Sequence, residues 1–302
     1  MAATTASPID TGIALTGAQE TLLITLLSKR NDFYQPRPLL ADHWAVAILD
    51  HLGPAQHAAV EARIPPGPIL HPAWFGLRSR TIDEWAADFL DRHAGQPVAV
   101  LHLACGLDAR ALRLRDRCRG RDVRWTDLDL PAVIHARRRV AVAMPEPEPD
   151  EGYTYSMVSA DVTTTDWLEA LPDDRPTLVI MEGLSMYLGV EDGPALLRRL
   201  VDCFAPCGGE LVLDAISAPS AALFNWLFKA KSDFDVHFAY TADNSDDVSK
   251  LDPRLQLVEG CSLVNNPGVR LLTFWLCWMF WFVSWIPYAR GMSHYMHFKM
   301  QE

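Results

Sequence analysis

Short apolar runs rich in β-branched residues alternate with helix-like stretches through the middle of the chain. Each run stops at a turn-forming or acidic residue, which is typical of a buried strand rather than of a helix. The runs that predict strands are 98–103, 122–126, 153–158, 177–181 and 210–216. Buried strands that alternate with helices indicate an α/β fold with a right-handed, doubly wound, mostly parallel sheet.

The region before the first predicted strand is mostly helical by its pattern. Leucines at helical spacing predict helices over 16–30 and 41–52, and a third helix is expected from a Thr81 cap to about Arg92. We therefore expect residues 1–95 to form a helical cap that is contiguous with the core of the protein.

After the fifth predicted strand, strands and helices no longer alternate regularly. A helix with an aromatic face is predicted over 220–231, a short strand over 255–258 and a closing edge strand over 292–300. We interpret 217–290 as an insertion in the core, 96–302, and expect core and cap to form one compact domain. The insertion and the cap are expected to select the substrate, since segments outside a fixed scaffold usually set specificity.

Residues Leu271–Tyr288 form an uncharged stretch of 18 residues that contains four tryptophans at helical spacing. As a helix it would be about 27 Å long, just short of the ~30 Å hydrocarbon core of a bilayer. Tryptophan also prefers the membrane interface to the membrane centre. We expect a helix that is buried in the core or lines an apolar pocket, with peripheral membrane contact as the open alternative.

Composition and charge exclude several classes of partner. The chain carries a net charge of −11 and no basic run longer than 137–139, which argues against binding to nucleic acid. Six cysteines without a CxxC pair indicate reduced thiols, and the first ten residues do not resemble a signal peptide. We therefore expect a cytoplasmic protein, with peripheral membrane association as the alternative. No metal site is expected, because His294 and His297 fall on opposite faces of a predicted strand.

Acidic residues follow three successive predicted strands, and small residues follow the first. The turn at 104–106 lets a ligand approach the backbone closely at the start of a helix. Asp127 and Asp129 follow the second strand, Asp161 the third and Glu182 the fourth. Ligands of such sheets bind outside the carboxyl ends of the strands. The pattern predicts a nucleoside site, in which the second strand's carboxylate accepts ribose hydroxyls and the third's faces an adenine amine.

Four short sequences, in order along the chain, carry a family resemblance. They are RSRTID at 78–83, LACGLDAR at 103–110, WTDLDLP at 125–131 and MEGLSMYL at 181–188. They resemble the RTR-x-(I/F)-D, LGxGxDTR, (F/W)xExDxP and EGxxxYL motifs of the leucine carboxyl methyltransferase family. This family includes the protein phosphatase C-terminal leucine carboxyl methyltransferases and the tetracenomycin-type polyketide O-methyltransferases. The resemblance implies a Rossmann-like methyltransferase fold and S-adenosylmethionine as cofactor.

The resemblance also implies a set of cofactor-binding residues. They are Arg78, Ala104, Gly106, Asp127, Asp129, Asp161, Val162 and Glu182. Arg78 would pair with the carboxylate of the cofactor, as suits a guanidinium fork, and Asp129, with Asp127 nearby, would hold the ribose. Asp161 and Val162 would frame the adenine.

At the other end of the cofactor, Glu182 would lie by the sulfonium and the methionyl amine. The backbone around Ala104 and Gly106 would pass beneath the methionine moiety. Two residues depart from the family motif, since Ala104 replaces a glycine and Ala109 replaces a threonine. Alanine at 104 requires a negative φ, because a left-handed backbone favours glycine.

Methyl transfer from a sulfonium is an in-line displacement that depends mainly on positioning. A carboxylate acceptor needs no base, whereas a phenol or an alcohol does, and the candidate catalytic residues are His237 and Tyr187. The aromatic residues Phe224, Trp226 and Phe228 favour an apolar acceptor. We expect an S-adenosylmethionine-dependent O-methyltransferase that acts on a carboxylate or hydroxyl of a small, polyketide- or terpenoid-like acceptor.

Three other functions compete with this prediction. A protein C-terminal carboxyl methyltransferase and a catalytically inactive protein that binds an apolar ligand are the open alternatives. A nicotinamide-dependent oxidoreductase would need a Tyr-x-x-x-Lys pair on a helix. Such a pair occurs at Tyr295 and Lys299, where the pattern predicts a strand. That function is therefore disfavoured.

Overall fold

A computed structural model describes residues 19, 21–54, 58, 61–62, 71–148, 152–231 and 236–302 of the chain. The start of the helix predicted over 16–30 lies outside these residues, as do the first ten residues of the chain. All structural statements below refer to the described residues.

One mixed sheet organises the fold. Its strands are β1 (Val98–Leu103), β2 (Val123–Asp129), β3 (Tyr153–Ser159), β4 (Thr177–Met181), β5 (Glu210–Ile216), β6 (Leu255–Ser262) and β7 (Ser293–Met300). Their order in the sheet is β3-β2-β1-β4-β5-β7-β6. The first five strands are parallel, and β7 pairs antiparallel with both β5 and β6. The predicted doubly wound, mostly parallel α/β fold is confirmed.

Helices precede the sheet and connect its strands. The α-helices of the described residues are α1 (Thr21–Phe33), α2 (His43–Leu52), α3 (Pro72–Arg92), α4 (Arg110–Arg113), α5 (Arg115–Cys118), α6 (Pro131–Arg139), α7 (Asp166–Glu169), α8 (Asp192–Phe204), α9 (Ala218–Lys231), α10 (Ser245–Ser249), α11 (Phe274–Val283) and α12 (Pro287–Arg290). Single 3₁₀ turns cover Ser185–Tyr187, Ala205–Cys207, Leu263–Asn265 and Pro267–Leu271.

The central strands β1, β4 and β5 are buried on both faces. Successive side chains of a strand point to opposite faces. Val100 and Ile180 therefore pack towards α3 with Phe89, whereas Leu101 and Val179 pack towards the face covered by α8. Burial on both faces explains why these strands are near-continuous apolar runs in the sequence.

The third N-terminal helix begins earlier than predicted. It starts at Pro72, where proline is tolerated, and the side chain of His71 accepts a hydrogen bond from Ala73 N at 3.2 Å. Thr81 is not a cap, because it lies inside α3 and its hydroxyl donates to Leu77 O at 2.8 Å. The single long α3 places Arg78 and Ser79 against the sheet.

The alternating sequence predicted that the closing strand lies at the edge of the sheet, and this prediction is wrong. β7 lies between β5 and β6, so β6 forms the edge of the sheet, and β6 extends to Ser262 rather than to 258. Alternation did not distinguish the two positions, because β7 buries Met296 and Phe298 on one face and Tyr295 and His297 on the other.

The tryptophan-rich stretch is not one helix. α11 ends at Val283, and a turn leads into α12, where Pro287 cannot continue the previous helix. Phe280 is the buried residue of α11, whereas Trp275 is 80% exposed and Phe274 is 67% exposed. The prediction of a buried or pocket-lining helix is therefore wrong. Among the described residues, none of the helices combines the length and apolarity that crossing a membrane requires.

Candidate active site

A cavity of about 310 Å³ opens at the carboxyl ends of the parallel strands. This is the position at which doubly wound sheets bind ligands. Its floor is polar and includes Asp129 at the end of β2 and Glu182 directly after β4, whereas its other half is lined by aliphatic and aromatic side chains. α1 contributes residues to both halves, among them Leu22 and Lys29.

The turn after β1 is left-handed at two positions. Ala104 has φ of 49° and Gly106 has φ of 55°. The expectation of a negative φ at Ala104 is therefore wrong, and the alanine is held in a conformation that favours glycine. A Cβ atom at Gly106 would lie only 2.5 Å from Leu22 Cδ2, so α1 packs directly on the turn at this point.

Asp129 lies at the cavity wall and holds this turn in place. Its Oδ2 accepts a hydrogen bond from Gly106 N at 2.7 Å, and its Oδ1 accepts one from Leu130 N at 2.7 Å. Burial raises the pKa of this carboxyl, although the two N–H groups oppose that effect. A carboxylate has about four lone-pair positions, so Asp129 keeps acceptor capacity for two further hydroxyl groups.

Asp127 does not reach the cavity, contrary to the predicted role beside Asp129. It is fully buried, and its Oδ2 accepts from Arg137 Nη2 at 2.7 Å and from the Tyr155 hydroxyl at 2.9 Å. Its Oδ1 accepts from Trp125 Nε1 at 2.8 Å. Burial disfavours the charged form, but Arg137, His102 and Trp125 together outweigh it and hold the pKa of Asp127 below its ordinary value. Asp127 therefore supports the sheet from inside.

Glu182 joins Arg78, Ser79 and Arg110 in one buried network. Its Oε1 accepts from Arg78 Nε at 3.0 Å and from the Ser79 hydroxyl at 2.7 Å, and its Oε2 pairs with Arg110. Burial disfavours ionisation, but the two guanidinium groups outweigh it and hold the pKa of Glu182 well below its usual range. Arg78 also donates to Asp214 Oδ2 at 3.0 Å.

Several charged residues of this network were not assigned a role from the sequence. Lys29 Nζ lies 2.9 Å from Asp108 Oδ1, and this pair connects α1 to the turn after β1. Arg110 is fully buried and also donates to Asp83 at 2.6 Å. Asp108 and Arg110 lie within the motif at 103–110, which was the available signal. Lys29 carried no such signal, because its partner is distant in the chain.

The other half of the cavity is apolar. Phe238 packs against Tyr187, Phe224 and Phe228, with ring centroids 5.2 to 6.0 Å apart. The Tyr187 hydroxyl lies 3.2 Å from Thr21 Oγ1, and burial raises the pKa of Tyr187, so this phenol stays protonated at neutral pH. Of the three aromatic residues singled out on α9, Phe224 and Phe228 line the cavity.

Besides Asp127, three predicted site residues lie away from the cavity lining: His237, Asp161 and Val162, and so does Trp226 of the predicted aromatic face. Trp226 is 61% exposed, and His237 is exposed beside Phe238, whose ring does reach the cavity. The His237 side chain is therefore not placed to act as a base. Asp161 is exposed and accepts from Thr163, and Val162 packs in the core beside α8.

The remaining titratable groups do not form a metal centre. Among the residues that the structure describes, no group of three or more His, Cys, Asp or Glu side chains could hold a metal ion. His297 lies 2.7 Å from Glu210, and the six cysteines are unpaired.

Comparison with known families gives one clear match. Residues 32–201 match the sequence model of the family described as leucine carboxyl methyltransferase. This range covers the turn after β1, Asp129 and Glu182. It ends before β5, so the match excludes α9.

Two relatives are similar to this chain over most of their length. The tetracenomycin polyketide synthesis O-methyltransferase TcmP of Streptomyces glaucescens is 35% identical over 261 residues, which cover 84% of this chain and 86% of that protein. The S-adenosyl-L-methionine-dependent methyltransferase dpfgK of Gibberella zeae is 33% identical over 267 residues, which cover 86% of this chain and 87% of that protein.

Solved structures share the fold at low sequence identity. A DUF574 family protein from Streptomyces avermitilis matches with a TM-score of 0.57 at 14% identity, over 98% of this chain and 100% of that chain. A putative methyltransferase from Thermobifida fusca matches with a TM-score of 0.50 at 14% identity over 100% of both chains. These likenesses concern the fold alone.

Proposed function

Because this chain belongs to the leucine carboxyl methyltransferase family and is an S-adenosylmethionine-dependent methyltransferase, we propose that it methylates a carboxylate oxygen of a small apolar acceptor. The observation that carries this proposal is the division of the cavity into a charged half at the strand ends and an apolar, aromatic half. The first half suits the cofactor, and the second suits the acceptor.

The residues of the charged half fit the cofactor by their chemistry. Asp129 has acceptor capacity for ribose hydroxyls, and the turn at Ala104 and Gly106, which borders the cavity beside Leu22, would lie next to the cofactor. Arg78 uses Nε and Nη1 on Glu182 and Asp214, and a guanidinium has five N–H donors. It can therefore bind the carboxylate of the cofactor without losing either pair. Glu182 orients Arg78 and would lie by the sulfonium.

S-adenosylmethionine supplies a methyl group on a sulfonium, whose C–S bond breaks as the acceptor oxygen forms the new C–O bond. Positioning of the two reacting atoms is then the main contribution of the protein. Among the described lining residues, Tyr187 and Tyr295 are the titratable side chains outside the charged half; His102, whose Nε2 lies 3.1 Å from Arg110 Nη1, belongs to the charged half. Burial raises the pKa of both phenols, so neither serves as a base at neutral pH. This favours an acceptor that is already ionised, and a carboxylate meets that condition.

The lining of the acceptor half supports the chemical class of the acceptor. Phe75, Phe224, Phe228 and Phe238 present rings to the cavity, and aromatic faces favour flat, apolar ligands. The relative from Streptomyces glaucescens is named for polyketide synthesis, which supports a polyketide-like acid. A protein C-terminal carboxylate is the alternative acceptor.

An acceptor that carries both a carboxylate and a phenol tests the proposal directly. We would incubate the enzyme with S-adenosylmethionine and a hydroxynaphthoic acid, and treat the product with mild base. A methyl ester is hydrolysed by base, whereas a methyl ether is stable. We expect a base-labile product, and a base-stable product would contradict a carboxylate acceptor. A peptide ending in leucine, assayed in parallel, tests the alternative acceptor.

A further inference from the structure

Large aromatic side chains on and beside α11 form an exposed surface, which we term the aromatic patch. It consists of Phe274, Trp275, Trp278, Trp281, Phe282 and Trp285, which are between 46% and 80% exposed. Neighbouring rings touch, with centroids 5.6 Å apart for Trp278 and Trp281 and 5.7 Å apart for Trp281 and Trp285. A continuous exposed apolar surface of this kind marks an interaction site.

The core fixes the direction in which the aromatic patch points. Phe280 is buried on the opposite side of α11, and Leu276 and Val283 pack beside it. The same hydrophobic cluster contains Leu263 and Trp74, which line the apolar half of the cavity. The aromatic patch is therefore held outwards, on the outer side of the cluster that forms one cavity wall.

The charges around the aromatic patch differ from those of the whole chain. No Asp or Glu occurs between Glu259 and Glu302, although the chain has a net charge of −11. The charged residues that flank the aromatic patch are Arg270 and Arg290, and both are exposed. This segment of the chain therefore complements an anionic partner.

We propose that the aromatic patch binds the interface of an anionic phospholipid bilayer, with α11 lying in the plane of the membrane. Tryptophan prefers the headgroup level, and interfacial helices bury their apolar face at the boundary between headgroups and acyl chains. α11 has ten residues and is about 15 Å long, which suits lying on a bilayer rather than crossing it. Contact between two copies through the aromatic patch is less favourable, because it would bring arginines of both copies together. The segment between Glu259 and Glu302 offers no carboxylate to pair with them.

Sedimentation with lipid vesicles tests this proposal, and its outcome does not depend on the methyl acceptor. The full chain is mixed with phosphatidylcholine vesicles with or without phosphatidylglycerol, at low and at high salt. We expect binding to the anionic vesicles that weakens with salt. The double variant Trp275→Asp/Trp281→Asp should partition at least ~10-fold less, because charged side chains oppose burial of the helix. Trp226→Asp is the matched control, since Trp226 is exposed on α9.

Two further measurements keep the test decisive. Arg270→Gln/Arg290→Gln should weaken binding to anionic vesicles and leave the weaker binding to neutral vesicles unchanged. Brominated lipids should quench the tryptophan fluorescence of the unmodified chain, which needs no variant to fold. The proposal is overturned if the unmodified chain binds neither vesicle, or if the aspartate variant binds as well as the control. A dimer that ignores vesicles and becomes monomeric in the aspartate variant would identify a second copy as the occupant.

Discussion

The two halves of the cavity are built by different means. The charged half is fixed by short hydrogen bonds between residues from distant elements, with Glu182 receiving donors from α3 and α4. The apolar half is formed mainly by ring contacts, centred on Phe238, between the turn after β4 and the region around α9. Hydrogen-bonded charges demand one geometry, whereas apolar contacts tolerate changes of shape at constant volume. We therefore expect a substitution in the charged half to change the stability of the fold and the affinity for the cofactor. A substitution in the apolar half should change which acceptor is used.

The largest effect is expected from removing the charge at the centre of the charged half. Glu182→Gln leaves Arg78 and Arg110 buried without their shared partner, and breaking a buried ion pair costs roughly 3–5 kcal/mol. We expect a loss of that size in the free energy of unfolding, measured by urea denaturation. Lys250→Ala is the control, because its pair with Asp247 at 3.4 Å is exposed and contributes at most about 1 kcal/mol. Equal urea midpoints for Glu182→Gln and the unmodified chain would contradict the role of the network.

The next effect separates two carboxylates that lie on the same strand. Asp129→Ala should weaken S-adenosylmethionine binding by about 1.5–3 kcal/mol, because it removes an acceptor from a buried site. Asp127→Asn should instead lower the free energy of unfolding, while the folded protein keeps its affinity for the cofactor. Calorimetric titration combined with denaturation measures both quantities. The distinction fails if Asp127→Asn weakens binding as much as Asp129→Ala does.

A smaller effect is expected in the apolar half. Phe224→Leu removes a ring from the acceptor side of the cavity, and an aromatic contact contributes about 0.5–1.5 kcal/mol beyond its buried area. We expect kcat/KM for an aromatic acceptor to fall by roughly fivefold, with an unchanged Kd for the cofactor. Trp226→Leu, on the same helix but away from the cavity lining, should leave both constants unchanged. A changed cofactor Kd in Phe224→Leu would show that the two halves are not separable.

The smallest effect is expected from the turn at 104–106, which follows β1. Ala104→Gly relieves a left-handed alanine, which costs about 1–2 kcal/mol, but it also frees the unfolded chain. We expect a net gain of about 0.5–1 kcal/mol in the free energy of unfolding. Gly106→Ala should have the opposite sign, because its Cβ would meet Leu22. A destabilised Ala104→Gly variant would mean that the strain is compensated by contacts of the methyl group.

The sequence predicted the sheet well, and two of the four strand-end acids, Asp129 and Glu182, line the cavity, because both features depend on local pattern. A strand buried on both faces is an apolar run, and the residue after it lies at the edge where ligands bind. Asp129 and Glu182 followed from that argument and from the motifs. The pattern could not show that Asp127, two residues earlier, is covered by Arg137 from α6.

Other features depended on contacts between segments that are distant in the chain. The pair of Lys29 with Asp108 joins α1 to the turn after β1, and no spacing in the sequence indicates it. The sign of φ at Ala104 follows from the tight turn rather than from the residue type, so it was predicted wrongly. The exposure of Trp275 was also missed, because periodicity locates an apolar face but not whether anything covers it.

Helix α1 connects the two halves of the cavity in a way that constrains how the ligands bind. Leu22 packs on the turn at Gly106, and Ile24 belongs to the apolar cluster that contains Phe228 and Phe238. In the proposed arrangement, cofactor and acceptor therefore share one structural element. If either ligand changes the position of α1, the affinities of the two ligands are coupled by a free energy that is the same in both directions. The Kd measured for the cofactor must then depend on the acceptor concentration, and the reverse dependence must have equal size.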